Sequence, residues 1–154
     1  MKLSLWTVGK ANERYVEEGI QIFTKRISKY YPVEWKIFPG AKNYAGKVDH
    51  QKAESEKILY SLVSEDFVIA LDKNGSQCTS PELANIIANQ ATRGAKRAVF
   101  IIGGAYGHHN LLLDRADFRW SLSKLVFPHQ MVRLILAEQL YRACSIIRNE
   151  KYHH

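Results

Sequence analysis

The first feature of this sequence with chemical potential is a glycine pair placed directly after an all-apolar run. Ala98-Val99-Phe100-Ile101-Ile102 leads into Gly103-Gly104-Ala105-Tyr106-Gly107. Glycines there let backbone come close to a ligand, or adopt angles that a β-carbon forbids. A turn that merely needs glycine fits the same residues equally well. No Lys-Ser/Thr follows and no GxGxxG is present, which argues against nucleotide hydrolysis and a dinucleotide cofactor. A second apolar run, Phe67-Val68-Ile69-Ala70-Leu71, ends at Asp72. Further on, Arg133, Glu138 and Arg142 recur at spacings of four and five, which suits an ion pair along or between helices as well as a charged site. The chain finishes Tyr152-His153-His154. Tyrosine and histidine at a free end suit stacking on a base or proton exchange with it. Cys78 and Cys144 form no CxxC and no zinc pattern, so both are read as small packing residues in a reducing cytoplasm.

These residues need a scaffold, and the patterning describes one. Leu3 to Val8 alternates and stops at Gly9, as a first strand does. Between Asn12 and Lys29, Val16, Ile20, Phe23, Ile27 and Tyr30 form the stripe of an amphipathic helix. Val33–Phe38 is a second strand, closed by Pro39-Gly40. Residues 41–48 carry Lys42, Asn43, Tyr44, Gly46 and Lys47 without a period and are expected to form a mobile loop. Asp49–Val63 reads as helix, with His50 on its surface. The two apolar runs are strands buried on both faces. Thr79-Ser80-Pro81-Glu82 opens a helix that runs to about Gln90, with a hydroxyl cap and a carboxylate placed for a capping box. His108 and His109 are expected on an exposed loop before a Leu-rich turn and a weak strand at Phe118–Ser121. The last helix runs from about His129 to Arg148 and is apolar nearly all round, so a partner subunit is expected on its second side. Strands alternating with helices indicate an α/β fold: a mainly parallel sheet with helices on both faces, as a single domain over residues 1–154. In such sheets ligands bind beyond the carboxyl ends of the strands.

Composition narrows the partners. Twenty-two Lys and Arg against 15 acidic residues give a formal +7. That excess suits a polyanion as much as it suits a merely basic, soluble surface. No signal-peptide core opens the chain, and no apolar run approaches the roughly 20 residues that span a bilayer. A cytoplasmic protein without membrane attachment is the expectation.

Taken together, several stretches resemble one family. Ile102-Gly103-Gly104-Ala105-Tyr106-Gly107 is followed by Ser121-Leu122-Ser123-Lys124-Leu125-Val126-Phe127-Pro128-His129-Gln130-Met131-Val132-Arg133. Glu138-Gln139-Leu140-Tyr141-Arg142-Ala143 and the ending Tyr152-His153 complete the set. In this order and spacing they resemble the bacterial ribosomal RNA large-subunit methyltransferase H family of the SPOUT superfamily, over essentially the whole chain. The resemblance implies an α/β-knot fold with a C-terminal trefoil knot, a homodimer, and S-adenosyl-L-methionine held in the knot without any metal. It implies methylation of N3 of a pseudouridine in the intersubunit-bridge hairpin of 23S rRNA, on assembled ribosomes. Carried over residue by residue, it assigns the cofactor to Leu71, Gly103, Gly104, Leu122, Ser123, Lys124, Leu125, Val126 and Phe127. His153 and Tyr152 would engage the base, with His129 the rival proton acceptor and Arg133 and Arg142 anchoring phosphate or negative charge. Lys25, Arg26 and Lys29 are the first choice for RNA docking, and Arg93, Lys96 and Arg97 a second cluster. Two departures stand out: His154 occupies the place where the family commonly has a basic residue, and Ala105-Tyr106 replaces small or polar residues in the glycine loop. The competing readings are a non-catalytic RNA-binding or ribosome-assembly factor, and a SPOUT methyltransferase acting on tRNA.

Overall fold

The structure, a computed structural model, describes residues 1–152. Its elements run in the order β1 (Lys2–Val8), α1 (Arg14–Ile27), β2 (Val33–Phe38), α2 (Lys47–Ser61), β3 (Phe67–Ser76), α3 (Ser80–Thr92), β4 (Arg97–Ile102), α4 (Asn110–Arg115), β5 (Phe118–Trp120) and α5 (His129–Ile147). The strands form one sheet in the order β2-β1-β4-β3-β5, every neighbouring pair parallel. β4 lies fully inside, and Ala98 to Ile102 are all buried, as an unbroken apolar run requires.

Alternation sorts the strand side chains between two cores. Leu3, Leu5, Ile69, Phe100 and Trp120 pack with Ile27, Leu83, Ile87, Leu136, Leu140 and Ala143 of α1, α3 and α5. Trp6, Val8, Val68, Val99 and Ile101 pack with Ile58 of α2 and Leu112 of α4 on the other face. Helices therefore cover both faces. α3 starts at the expected capping box: Glu82 N–H donates to the Thr79 hydroxyl and the Glu82 side chain accepts from Thr79 N–H.

One expectation needs correcting. β3 does not stop at Asp72. It continues to Ser76 through a register shift, because Ser121 N–H donates to the Ser76 carbonyl and ties this polar extension to the chain after β5. Hydrophobic patterning cannot register a strand held only by backbone. α5 buries one side within the chain and leaves Met131, Val132, Ile135 and Tyr141 only partly covered. From the edge strand β5 the chain returns to the middle of the sheet, where α5 is flanked by α1 and α3, and no residue of α5 is fully exposed. A Cβ on Gly19 of α1 would sit 2.6 Å from a methyl of Leu134 of α5, so the glycine makes room for that side chain.

Burial pushes the Cys144 thiol up to about 12, and burial also raises that of Cys78, so both behave as packing residues. Leu136 is 0% exposed between the sheet and both flanking helices. Leu136→Ala is expected to cost about 2–5 kcal/mol in urea unfolding, and a loss below about 1 kcal/mol would contradict this packing.

Candidate functional site

Because all five strands are parallel, the loops that follow them gather at one edge of the sheet. There, Leu71, Gly103, Gly104, Leu122, Ser123, Leu125, Val126 and Phe127 line a single cleft of about 220 Å³ together with Asp72, Lys73, Trp120, His129 and Val132. The structure thus brings together every nominated cofactor residue except Lys124, whose side chain is exposed and does not line the cleft. Residues 121–128 belong to neither helix nor strand. A Ser121 hydroxyl bond to the Ser123 carbonyl (3.1 Å) and a Leu125 N–H bond to the Ser123 hydroxyl (2.9 Å) shape this segment. Leu125 and Val126 are 72% and 94% exposed. Apolar side chains held out in this way beside Leu71, Leu122 and Phe127 offer a wall to a flat aromatic ligand.

The glycine loop opposite is a built turn. Gly107 N–H donates to the Gly104 carbonyl at 3.0 Å, and Gly107 has a φ of 78°, in the left-handed region. Beneath it lies Glu54 of α2, only 5% exposed. Its Oε1 accepts from Ala41 N–H (2.9 Å) and pairs with His50 Nε2 (3.2 Å), while Oε2 has no partner and points at Gly104. A Cβ on Gly104 would sit 2.4 Å from that oxygen, so the carboxylate and the glycine occupy one space.

The histidines differ from expectation. His108 is turned inward rather than lying on an exposed loop; its Nε2 is shielded from solvent, and burial lowers its pKa. It follows a glycine loop that folds back on the strand ends, and its ring packs against Gly103. His109 caps α4, its Nδ1 accepting from Leu111 N–H. His50 is half-buried by its pairing with Glu54 instead of lying free on the helix surface. His129 lies in the cleft wall with Nε2 3.0 Å from the Val8 carbonyl. A carbonyl only accepts, so Nε2 carries the proton and Nδ1 keeps its lone pair. Burial lowers the His129 pKa and keeps the ring neutral.

Arg133 is not placed to anchor phosphate. It is 0% exposed and donates to the Lys10 carbonyl (2.9 Å), Asn12 Oδ1 (2.7 Å) and the Val8 carbonyl (3.3 Å). These bonds tie α5 to the turn after β1. Arg142 does form the ion pair suggested by its spacing: it donates to Glu138 Oε1 at 3.0 and 2.6 Å, and the Tyr152 hydroxyl joins the same oxygen at 3.2 Å. The Arg142 guanidinium also covers the Tyr152 ring at 4.8 Å. Glu138 and Arg142 lie nine and thirteen residues beyond His129, about 14–20 Å along a helix rising 1.5 Å per residue, so the Tyr152 cluster is separate from the cleft within one chain. His153 falls outside the described residues.

Neither nominated RNA cluster is at the cleft. Lys25, Arg26 and Lys29 sit at and just beyond the end of α1, Arg93 and Lys96 lie between α3 and β4, and Arg97 opens β4, all at the amino-terminal edge of the sheet. Arg26 lies over the Phe23 and Tyr141 rings. Arg97 is committed to Asp66, through an Nε bond of 2.6 Å and a second contact, and to the Trp6 ring. Sequence reasoning missed Glu54; its lone signal, a carboxylate on the inward face of a weakly amphipathic helix, is hidden by the acidic residues around it.

Among the described residues no group of three or more His, Cys, Asp or Glu is placed to hold a metal, and no helix is long and apolar enough to cross a membrane. Residues 1–153 match the model of the family described as "Predicted SPOUT methyltransferase". Proteins named "Ribosomal RNA large subunit methyltransferase H" are similar throughout. One from Cytophaga hutchinsonii is 44% identical and covers all of both chains. One from Christiangramia forsetii is 40% identical over 100% of this chain and 99% of its own. A solved structure of a probable methylase family protein from Haemophilus influenzae Rd KW20 shares the fold, with a TM-score of 0.58 at 12% identity over 99% of this chain and 70% of its own.

The lowered pKa values of His108 and His129 predict a pH dependence of stability. As pH falls below the unfolded histidine value of about 6.5, the unfolded chain takes up protons before the folded one does. Stability is therefore complete above that value and falls toward the lower folded pKa values. The urea midpoint should drop between pH 7.5 and 5.5, and His108→Asn should flatten the drop; an unchanged or rising midpoint in wild type would contradict the buried, neutral rings.

Proposed function

We propose that this chain, which belongs to the SPOUT methyltransferase family, transfers a methyl group from S-adenosyl-L-methionine to N3 of a pseudouridine in the intersubunit-bridge hairpin of 23S rRNA, within assembled ribosomes in the cytoplasm. Membership of the family implies the C-terminal trefoil knot, with the return from β5 to α5 as its threaded segment. The observation that carries the reading is the single cleft made by Leu71, the glycine loop and residues 122–127 at the carboxyl edge of the sheet. The full-length similarity to proteins named for ribosomal RNA methylation supports the substrate.

The cleft fits the cofactor's chemistry. Leu71, Leu122, Leu125, Val126 and Phe127 would hold the adenine between apolar surfaces, and peptide groups of the irregular 122–127 segment would meet its polar edges. When bound, the cofactor supplies a methyl group already activated on a sulfonium. What remains for the protein is placement and a proton. Holding the reacting atoms in line is worth about 7–11 kcal/mol in favourable cases, and removal of the N3 proton by a positioned base adds roughly 10²–10⁴-fold. His129 is neutral with Nδ1 free to accept. His153, next to Tyr152 in the tail, is the other candidate base.

The tail supports a homodimer. Tyr152 and Arg142 lie away from the cleft of their own chain, so these groups serve catalysis only if a second copy presents its tail to the cleft. Glu138 then holds Arg142 and Tyr152 in a fixed pair for the partner's site.

The test is transfer of labelled methyl to ribosomes from cells lacking the protein, with the product nucleoside identified. Label on N3 of a 23S pseudouridine is expected. Label on tRNA, or cofactor binding without transfer, would overturn the reading. Mixing an inactive Tyr152→Ala protein with an inactive Leu122→Asp protein should restore turnover through hybrid dimers; no restoration would refute completion in trans.

A further inference from the structure

The carboxyl edge of the sheet carries a second surface, on the α2 and α4 side of the glycine loop. Tyr44, His50 and Tyr106 form a continuous aromatic row, with ring centroids 6.2 Å apart between Tyr44 and His50 and 5.3 Å apart between His50 and Tyr106, both edge-on. Edge-on packing leaves ring faces uncovered, and Tyr44 and Tyr106 are 49% and 48% exposed. Neither belongs to a hydrophobic core cluster. Beside Tyr106 opens a polar cleft of about 630 Å³, also lined by Lys47, Gln51, Asn74 and His109. It shares Leu71, Asp72, Lys73 and Gly107 with the methyl-donor cleft.

The row is held in place from below. His50 is fixed by buried Glu54 at 3.2 Å, and Gln51 Nε2 donates to the Tyr106 carbonyl at 2.5 Å. The turn closed by Gly104 and Gly107 projects Tyr106 outward. Lys42 lies two residues before Tyr44, Lys47 and Lys73 line the cleft with Tyr106, and all three are exposed; the acidic neighbours are Asp49, Asp72 and the Glu54 that pairs with His50. Exposed rings at fixed spacing, flanked by lysines, are the pattern by which proteins hold unpaired nucleotides: bases stack on rings while cations track the backbone. A membrane surface would call for aliphatic side chains, which this cleft lacks apart from Val48, Leu71 and Leu113.

We propose that Tyr44, His50 and Tyr106, with Lys42, Lys47 and Lys73, form a stacking site for unpaired RNA nucleotides flanking the one that enters the methyl-donor cleft. The assignment rests on the RNA methyltransferase reading and adds RNA docking at the edge that carries the cleft.

The experiment uses full-length protein and a fluorescein-labelled RNA hairpin with an unpaired loop, beside the same hairpin with abasic loop positions. Tyr44→Ala and Tyr106→Ala should each weaken hairpin binding about tenfold, while Tyr→Phe retains it and abasic positions abolish the difference between wild type and variants. In Tyr44→Ala, which lies outside the glycine loop, S-adenosylmethionine affinity and the unfolding midpoint should stay unchanged, and on ribosomes KM should rise with kcat retained. Equal hairpin affinity for wild type and the double Ala variant, or no binding by wild type, would overturn the site. So would loss of cofactor binding in Tyr44→Ala, since that ring would then act through the glycine loop. Ring-dependent hairpin binding without methyl transfer to any ribosome would uphold the site and overturn the methyltransferase reading instead.

Discussion

Everything functional in this molecule depends on the sheet being parallel throughout. A parallel pair cannot be joined by a tight hairpin, so each connection must cross back through a helix, and each strand delivers its following loop to the same edge. Five strands in the order β2-β1-β4-β3-β5 therefore set the loops after β1, β2, β3, β4 and β5 side by side. Residues far apart in the chain, such as Leu71, Gly103 and Phe127, share one cleft without any local signal linking them. The opposite edge collects the ends of α1 and α3, with Lys25, Arg26 and Lys29 at the first and Arg93 and Lys96 at the second.

Two buried polar side chains turn that edge from a set of loops into a fixed surface. Arg133 reaches from α5 to three acceptors around the turn after β1, and Glu54 reaches from α2 to Ala41 and His50 while filling the space under Gly104. Buried polar groups of this kind are costly unless satisfied. Here each binds loop backbone, so the cost of burial is offset by ordering the loops that carry the chemistry. Glu54 Oε2 and Arg133 Nε keep unfilled hydrogen-bonding capacity.

Much of this was legible in the residues. Continuous apolar runs identified β3 and β4, the Thr79–Glu82 box identified the start of α3, and the Ser121–Arg133 segment pointed to the cleft wall. What stayed hidden depended on contacts across the fold. The polar end of β3 exists because of β5, the His108 Nε2 is shielded because the glycine loop folds inward, and Arg133 is a clamp because the β1–α1 turn comes to it. Periodicity reports which face of an element is wet; it carries no information on which distant carbonyl a guanidinium will meet.

The central claim is that the glycine loop, the end of β3 and residues 121–129 close on one ligand. Hydrogen exchange of the intact protein with and without S-adenosylmethionine tests it most directly. The account predicts added protection concentrated in residues 71–73, 103–107 and 121–129. Protection elsewhere on the chain, or none at saturating cofactor, would contradict it.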